Sequence, residues 1–410
     1  MIKKGKFILN NEMLLDIACA LLFLFLFLQY TEYSSIFIHY FIMGLSVFVW
    51  MAFLCAKVGI RELILIFVFA IIDFFQIIIF HSGSLQSLFL FLPLAIYFVK
   101  KEIIWKLPFF IVSAIIVFIT MFSWVNSPNE YILFDSMSRN YVSVFAIYAL
   151  SMINICYEKE GKDCPFVYFL IMWFMCLSAF GRGGILASSI MVILESAHKI
   201  FRRKMRKGKS KKIGDFILIG LAILFVLYVY FNFDWVSSTI LRRFFGGETS
   251  AIGSNADRWY MISSYINICT TSFLDFIFGA SSSEVALVGN NMHNSYIQLH
   301  STFGIIGLLF LIVMSVRGFI YLIKNNKITS SILFLGVLIR SFTDWCFPGF
   351  TLEFILWYYM LLPLLGHQKT ALMICPAVGK TRRESKYFSI SYLSGKNLKG
   401  QENLDYVKNR

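Results

Sequence analysis

The residues best suited to chemistry sit in one stretch, GNNMHNSYIQLHSTFGIIGLLFLI, and in a set of arginines upstream of it. His293 and His300 are seven positions apart and share a helical face with Ile297 between them. An imidazole titrates near neutrality and can act as a general base. A histidine hydrogen-bonded at a helix end is the plainer use of the same residue. The two are not at the i, i+4 spacing of a helical zinc pair, so no metal is expected. Arg139, Arg182, Arg242, Arg243 and Arg258 offer planar forks of donors that grip phosphate in bidentate fashion. The 8 cysteines form no CxxC pair and fall mostly in apolar segments, where they read as small core residues.

The elements that must position these side chains are membrane helices. Hydrophobic residues make up 58% of the 410-residue chain and charged residues only 15%. Soluble proteins average about 45–50% and about 25%. Phe alone takes 45 positions, and the mean hydropathy is +0.72. A soluble core cannot absorb that much apolar surface, so a lipid-facing exterior is its natural place. Disordered chains, secreted disulfide scaffolds and cytosolic enzymes are excluded. The expected fold class is an all-α polytopic membrane protein.

Runs of about 20 largely apolar residues mark spanning helices. About twelve candidates occur, near 13–30, 34–55, 63–80, 85–99, 107–125, 141–156, 166–180, 184–198, 214–231, 303–323, 328–342 and 351–366. The glycine-rich turn Gly181-Arg182-Gly183-Gly184 either joins two helices or breaks one. Met1 to Lys6 is basic, and the apolar run after it carries Asp16 and lacks a small-residue cleavage site. A retained first helix is therefore expected.

Lysine and arginine placement sets the orientation. With the N-terminus inside, the loops holding Lys57 and Arg61, Lys100 to Lys106, Lys159 and Lys162, the run Lys199 to Lys212, Lys324 and Lys327, and the tail are all inside. The outside basic residues are Arg139, Arg182, Arg242, Arg243 and Arg258, all arginine, while Arg317 and Arg340 fall within spans. This positive-inside pattern and attraction to anionic lipid head groups account for the net charge of +14, so no nucleic-acid partner is expected. Both termini are expected to be cytoplasmic. Residues 1–140 supply N-terminal spans, and 367–410 form a basic tail with the composition of a disordered segment.

One outside loop, from about 232 to about 302, is far longer than the rest, and such loops are usually functional. Within it, GSNADRWYMISSYINIC begins with Ser254 and Asp257 in a capping-box-like arrangement. Trp259, Ile262, Ile266 and Cys269 then form one helical stripe, predicting a short amphipathic helix on the membrane surface or on the bundle. Arg258 lies in its first turn, where free backbone N–H groups favour an anion. That anion is either a substrate phosphate or a lipid head group.

The order GRGGILAS, then a long external loop bearing DRWYMISSYI, then MHNSYIQLHSTFGIIGLL resembles the O-antigen ligase/O-antigen polymerase superfamily. These are bacterial inner-membrane glycosyltransferases acting on undecaprenyl-diphosphate-linked glycans. The resemblance covers roughly residues 139–345, inside a ligase/polymerase-like membrane domain at 141–366. It implies diphosphate binding by Arg182 and Arg258, with Arg139 as a third contact, and a catalytic His293 beside Asn294. Arg242, His300 and Asp344 are accessory candidates. Asp344 matches a loose acidic position between the last two spans, and Arg242 with Gly253 fits an Arg-x10-Gly pattern of some polymerase loops.

The implied reaction needs neither cofactor nor metal. Arginines neutralise the diphosphate leaving group, His293 takes a proton from an acceptor sugar hydroxyl, and single displacement inverts the anomeric centre. The expected reading is a polymerase joining lipid-linked repeat units at the periplasmic face, in contact with membrane lipids and with a chain-length regulator as candidate partner. The alternative is a ligase moving the glycan to lipid A-core. A third reading, from another class, is a lipid-linked oligosaccharide flippase. Twelve spans suit a transporter, but the internal repeats typical of transporters are absent.

Overall fold

The computed structural model describes residues 11–31, 34–55, 59–80, 84, 87–126, 132–134, 137–179, 181–205, 255–280, 285, 294–349 and 352–366. His293, Arg242, the candidate span at 214–231 and the tail at 367–410 lie outside these residues, as does the side chain of Arg258.

Apolar runs become helices because a backbone away from water must satisfy its own polar groups. In chain order the helices are α1 (Asn11–Leu28), α2 (Ile36–Cys55), α3 (Ile60–Phe80), a π-helical turn (Ser87–Phe91), α4 (Leu92–Lys100), α5 (Lys106–Asn126) and α6 (Tyr141–Lys159). They continue as α7 (Phe166–Ser178), α8 (Arg182–Met205), α9 (Asn255–Thr271), α10 (Phe273–Phe278), α11 (Ser295–Lys324), α12 (Ile328–Ser341) and α13 (Leu352–Leu365). Between α5 and α6, β1 (Ile132–Leu133) and β2 (Met137–Ser138) pair antiparallel, with Ile132 opposite Ser138.

Among the described residues, five segments are long and apolar enough to cross a membrane: Ile60–Ile79, Lys106–Asn126, Tyr141–Lys159, Arg182–Arg202 and Ser295–Lys324. Shorter apolar helices occupy the other candidate spans within the described residues. Two local expectations are refined. The candidate span at 85–99 is not one continuous α-helix but the π-helical turn followed by α4, which is only 9 residues long. Pro93 sits in the first turn of α4, where its missing N–H costs nothing. The glycine-rich segment at 181–184 joins two helices, since α7 stops at Ser178 and α8 starts at Arg182.

Helix α6 is buried continuously from Tyr141 to Cys156 and forms the axis of the bundle. Helices α5, α7, α8 and α12 pack around it, and α4, α11 and α13 close a second layer. The Phe23 ring lies 5.9 Å from Phe98, 5.6 Å from Tyr148 and 4.9 Å from Phe354, so α1, α4, α6 and α13 meet in one aromatic cluster. On the periphery, Phe37, Phe67 and Ile78 of α2 and α3 stay exposed, as expected of a lipid-facing surface.

The bundle has two chemically different ends. At one, Lys101 pairs with Asp16, Lys106 and Lys162 with Glu160, Lys199 with Glu195, Lys327 with Glu158, Arg202 with Asp163, and Lys100 with Glu62. Lys159 Nζ donates to the carbonyls of Val99 and Lys101 at 3.0 and 2.7 Å. Within the described residues, the lysine-bearing loops assigned to one side by charge counting therefore gather at one end. Outside the membrane-spanning segments, the Arg202 guanidinium holds the Asp163 carboxyl below its ordinary pKa, and hydrogen bonds from Lys162 and Lys106 do the same for Glu160.

Candidate functional site

The opposite end carries Arg139, Arg182, Arg340 and the start of α11. Asn294 caps α11: its Oδ1 accepts from the Tyr296 and Ile297 N–H groups at 2.9 and 3.2 Å. Its Nδ2 donates to the Phe342 carbonyl at 3.3 Å. Next to it, the Ser295 hydroxyl donates to the Asp344 carbonyl at 2.8 Å and accepts from the Cys346 N–H at 2.7 Å. The start of α11 is thereby tied to the segment after α12, and His293 immediately precedes the cap. In the described geometry, the Asn294 side chain is occupied as a helix cap and loop strap.

The hub of this end is Arg340, in the last turn of α12. Its Nε donates to Ser143 Oγ at 2.8 Å, its Nη1 to Thr343 Oγ1 at 2.8 Å, and its Nη2 to the Asn140 carbonyl at 2.8 Å and to Asp344 Oδ2 at 3.2 Å. The other carboxylate oxygen of Asp344 accepts from the Trp345 N–H at 3.0 Å. Both side chains are buried. A buried ion pair holds only when its remaining hydrogen-bonding capacity is also met, and here serine, threonine and a main-chain carbonyl meet it.

Glycines bring α8 onto this hub. A Cβ added at Gly183 would run into the Thr343 side chain, one at Gly184 into Ser143, and one at Gly181 into the Asn140 side chain. Arg182, the first residue of α8 and exposed, is thus set beside the Arg340 network by the glycines that flank it. Arg139 belongs to the turn entering α6, where its carbonyl accepts from the Val142 N–H at 3.0 Å, and its side chain is half-buried. Arg139, Arg182, Asn294 and Asp344 are therefore gathered at one end of the bundle around Arg340. The free N–H groups in the first turn of α8 add positive potential there.

The remaining candidates divide. His300 is buried against α9 and α10. Its Nδ1 lies 2.7 Å from the Tyr265 hydroxyl and its Nε2 lies 3.0 Å from the Phe276 carbonyl. A carbonyl can only accept, so Nε2 carries the proton and Nδ1 accepts from Tyr265. Burial pushes the Tyr265 hydroxyl well above its ordinary pKa, which keeps it a donor. His300 is a strut among three helices, the plainer of the two uses open to it in the sequence. Arg258 is the fourth residue of α9, so a helix forms where expected.

The packed face of α9 is not the expected stripe. Tyr265 and Cys269 are buried, while Trp259 and Ile266 are exposed. The face is set by contact with α10 and by the His300 strut, neither of which is visible in local periodicity. Helix α10 reaches α11 because Gly279, at φ 91°, and Gly304, at φ 64°, let backbones touch. An added Cβ at Gly279 would meet the His300 and Ser301 carbonyls, and one at Gly304 the Ile277 carbonyl.

No protein-family model and no curated protein matches the chain. What the site can do is therefore argued from its residues. Two arginines beside a buried guanidinium that makes four hydrogen bonds form an anion-receptive end of a helix bundle, and a histidine adjoins it in the chain. Among the described residues no group of His, Cys, Asp and Glu is arranged to hold a metal ion as three or more ligands. The spacing of Arg340 and Asp344, four positions apart, allows them to pair on a helix, as they do. It does not announce Arg340 as the centre of this end, nor Ser143 and Thr343 as its partners.

Proposed function

We propose that the chain is a multi-pass glycosyltransferase of the bacterial inner membrane. In this reading it joins undecaprenyl-diphosphate-linked repeat units into a surface polysaccharide, as an O-antigen polymerase. The observation that carries the reading is the convergence of Arg139, Arg182 and the start of α11 on the Arg340–Asp344 pair. A lipid-linked diphosphate brings several negative charges to a membrane edge, and a cluster of arginines at a helix N-terminus complements them.

In this reading Arg182 and Arg139, with Arg258 from α9, neutralise the diphosphate as the glycosidic bond to it breaks. His293 accepts the proton of the acceptor hydroxyl that attacks the anomeric carbon, and the configuration inverts. Arg340 and Asp344 hold the platform and do not touch the sugar. The arginine end faces the periplasm and the lysine end the cytoplasm, following the positive-inside rule. Twelve spans follow if each shorter apolar helix crosses and the segment at 214–231 crosses as well.

Deleting the gene in its host and resolving the lipopolysaccharide on a gel tests this reading. A core carrying a single repeat unit is expected, because transfer to core continues while elongation stops. A bare core with long polymer on the lipid carrier makes the chain a ligase. A bare core with repeat units held on the cytoplasmic side makes it a flippase.

A further inference from the structure

A second cluster of chemistry lies among α3, the π-helical turn and α13, and shares no residue with the Arg340 network. Asp73 of α3 is fully buried, and Glu353 in the first turn of α13 is nearly so. Ionisable groups buried within membrane helices are costly and usually mark function. The Ser84 N–H donates to Asp73 Oδ1 at 2.6 Å. The Ser87 hydroxyl donates to Glu353 Oε2 at 2.8 Å and stands 2.7 Å from the Ser84 hydroxyl. The Gly349 N–H and the Trp357 indole N–H complete the donors to Glu353.

All of these donors are neutral. Among the described residues neither carboxylate has an ion-pair partner, and the buried Oδ2 of Asp73 has no hydrogen-bond partner. Two acidic side chains are thus linked through two serines, with one oxygen left over. Ionised together, they would carry two negative charges that no cation among the described residues offsets. Ser87 also opens the π-helical turn, an irregularity often found at functional sites.

We propose that Asp73, Ser84, Ser87 and Glu353 form a binding site for a hard divalent cation of the calcium type. The candidate ligand atoms, carboxylate and serine hydroxyl oxygens, are all hard, which selects hard ions over zinc or copper. Two carboxylates balance one divalent charge. Calcium accepts the irregular oxygen cage that three separate elements supply, whereas magnesium demands near-ideal octahedral geometry and keeps its water. The ion ties α3 to α13 through the turn between them, so it stabilises the packing of this side of the bundle. This site is independent of the glycan-transfer reading.

The test is equilibrium binding of radioactive calcium to the purified full chain in detergent with excess sodium chloride, together with thermal unfolding in calcium or in chelator. One saturable site per chain is expected. Asp73→Asn and Glu353→Gln are each expected to weaken it on the order of 100-fold, while Glu160→Gln, at the opposite end, keeps it. In chelator Asp73→Asn unfolds at a temperature equal to or above wild type, because it removes an uncompensated buried charge. In millimolar calcium the order reverses, because only wild type gains from the ion. Absence of saturable calcium uptake, uptake unchanged in Asp73→Asn, or full displacement by the sodium background overturns the site.

Discussion

Arg340 Nη2 lies 3.2 Å from Asp344 Oδ2, and each side chain is only 1% exposed. The two residues are one helical turn apart, yet two further partners of Arg340, Asn140 and Ser143, lie 200 and 197 positions away in the chain. The pair therefore fastens α12 to the start of α6 and fixes the geometry of the arginine end.

Removing one partner of this pair leaves a buried charge. Arg340→Met is expected to cost about 3–5 kcal/mol of stability, seen as a lower thermal midpoint of the purified protein. Arg340→Met combined with Asp344→Asn is expected to recover part of that loss, because no charge remains uncompensated. A double variant less stable than the single one contradicts a paired role.

Glycines supply a paired comparison. Gly183→Ala places a methyl group against Thr343 and disturbs a ligand of Arg340. A loss of about 1–3 kcal/mol is expected from such overpacking. Gly44→Ala, in α2 with nothing within 4 Å of the added carbon, is expected to gain about 0.5–1 kcal/mol from helix propensity. Thermal unfolding of the two variants side by side checks the opposite signs.

His300 and Tyr265 should behave as one unit. Tyr265→Phe and His300→Phe each break the same hydrogen bond, so their effects on stability are expected to be less than additive. A coupling of about 1 kcal/mol is expected from a double-mutant cycle. Additive effects contradict the strut. If glycan transfer is measured, the pH profile is expected to keep its shape in Tyr265→Phe, because His300 is not the proton acceptor.

Acid weakens the lysine end. Asp163 and Glu160 have depressed pKa values through their arginine and lysine partners. Their contribution is fully present above the ordinary carboxylate range, about pH 4, and is lost as pH falls through the depressed folded values. Both are partly exposed, so the effect is small. Asp163→Asn is expected to flatten the acid limb of the stability curve slightly while leaving stability near neutrality almost unchanged.

The helices were legible because long apolar runs in this chain have only one way to satisfy their backbones. The grouping of lysine loops at one end was equally legible, since charge placement follows the loops in sequence order. The sequence offered Asn294 only as a catalytic candidate beside His293, whereas the structure makes it the cap of α11. Three further features were not legible. The π-helical turn at 87–91 depends on packing around Ser87. The packed face of α9 depends on Tyr265 meeting a histidine 35 residues away. The i, i+4 spacing of Arg340 and Asp344 announces their pairing, but the role of Arg340 as a hub depends on partners brought in from the start of α6.

The most direct test of glycan transfer is reconstitution of the purified full chain in liposomes with an undecaprenyl-diphosphate-linked repeat unit, without an energy source or ion gradient. Wild-type protein is expected to lengthen the glycan and release undecaprenyl diphosphate. Arg182→Ala and His293→Ala are expected to abolish lengthening while inserting normally. Lipid-linked repeat units that cross the bilayer without lengthening, or full activity in both variants, contradict the proposed function.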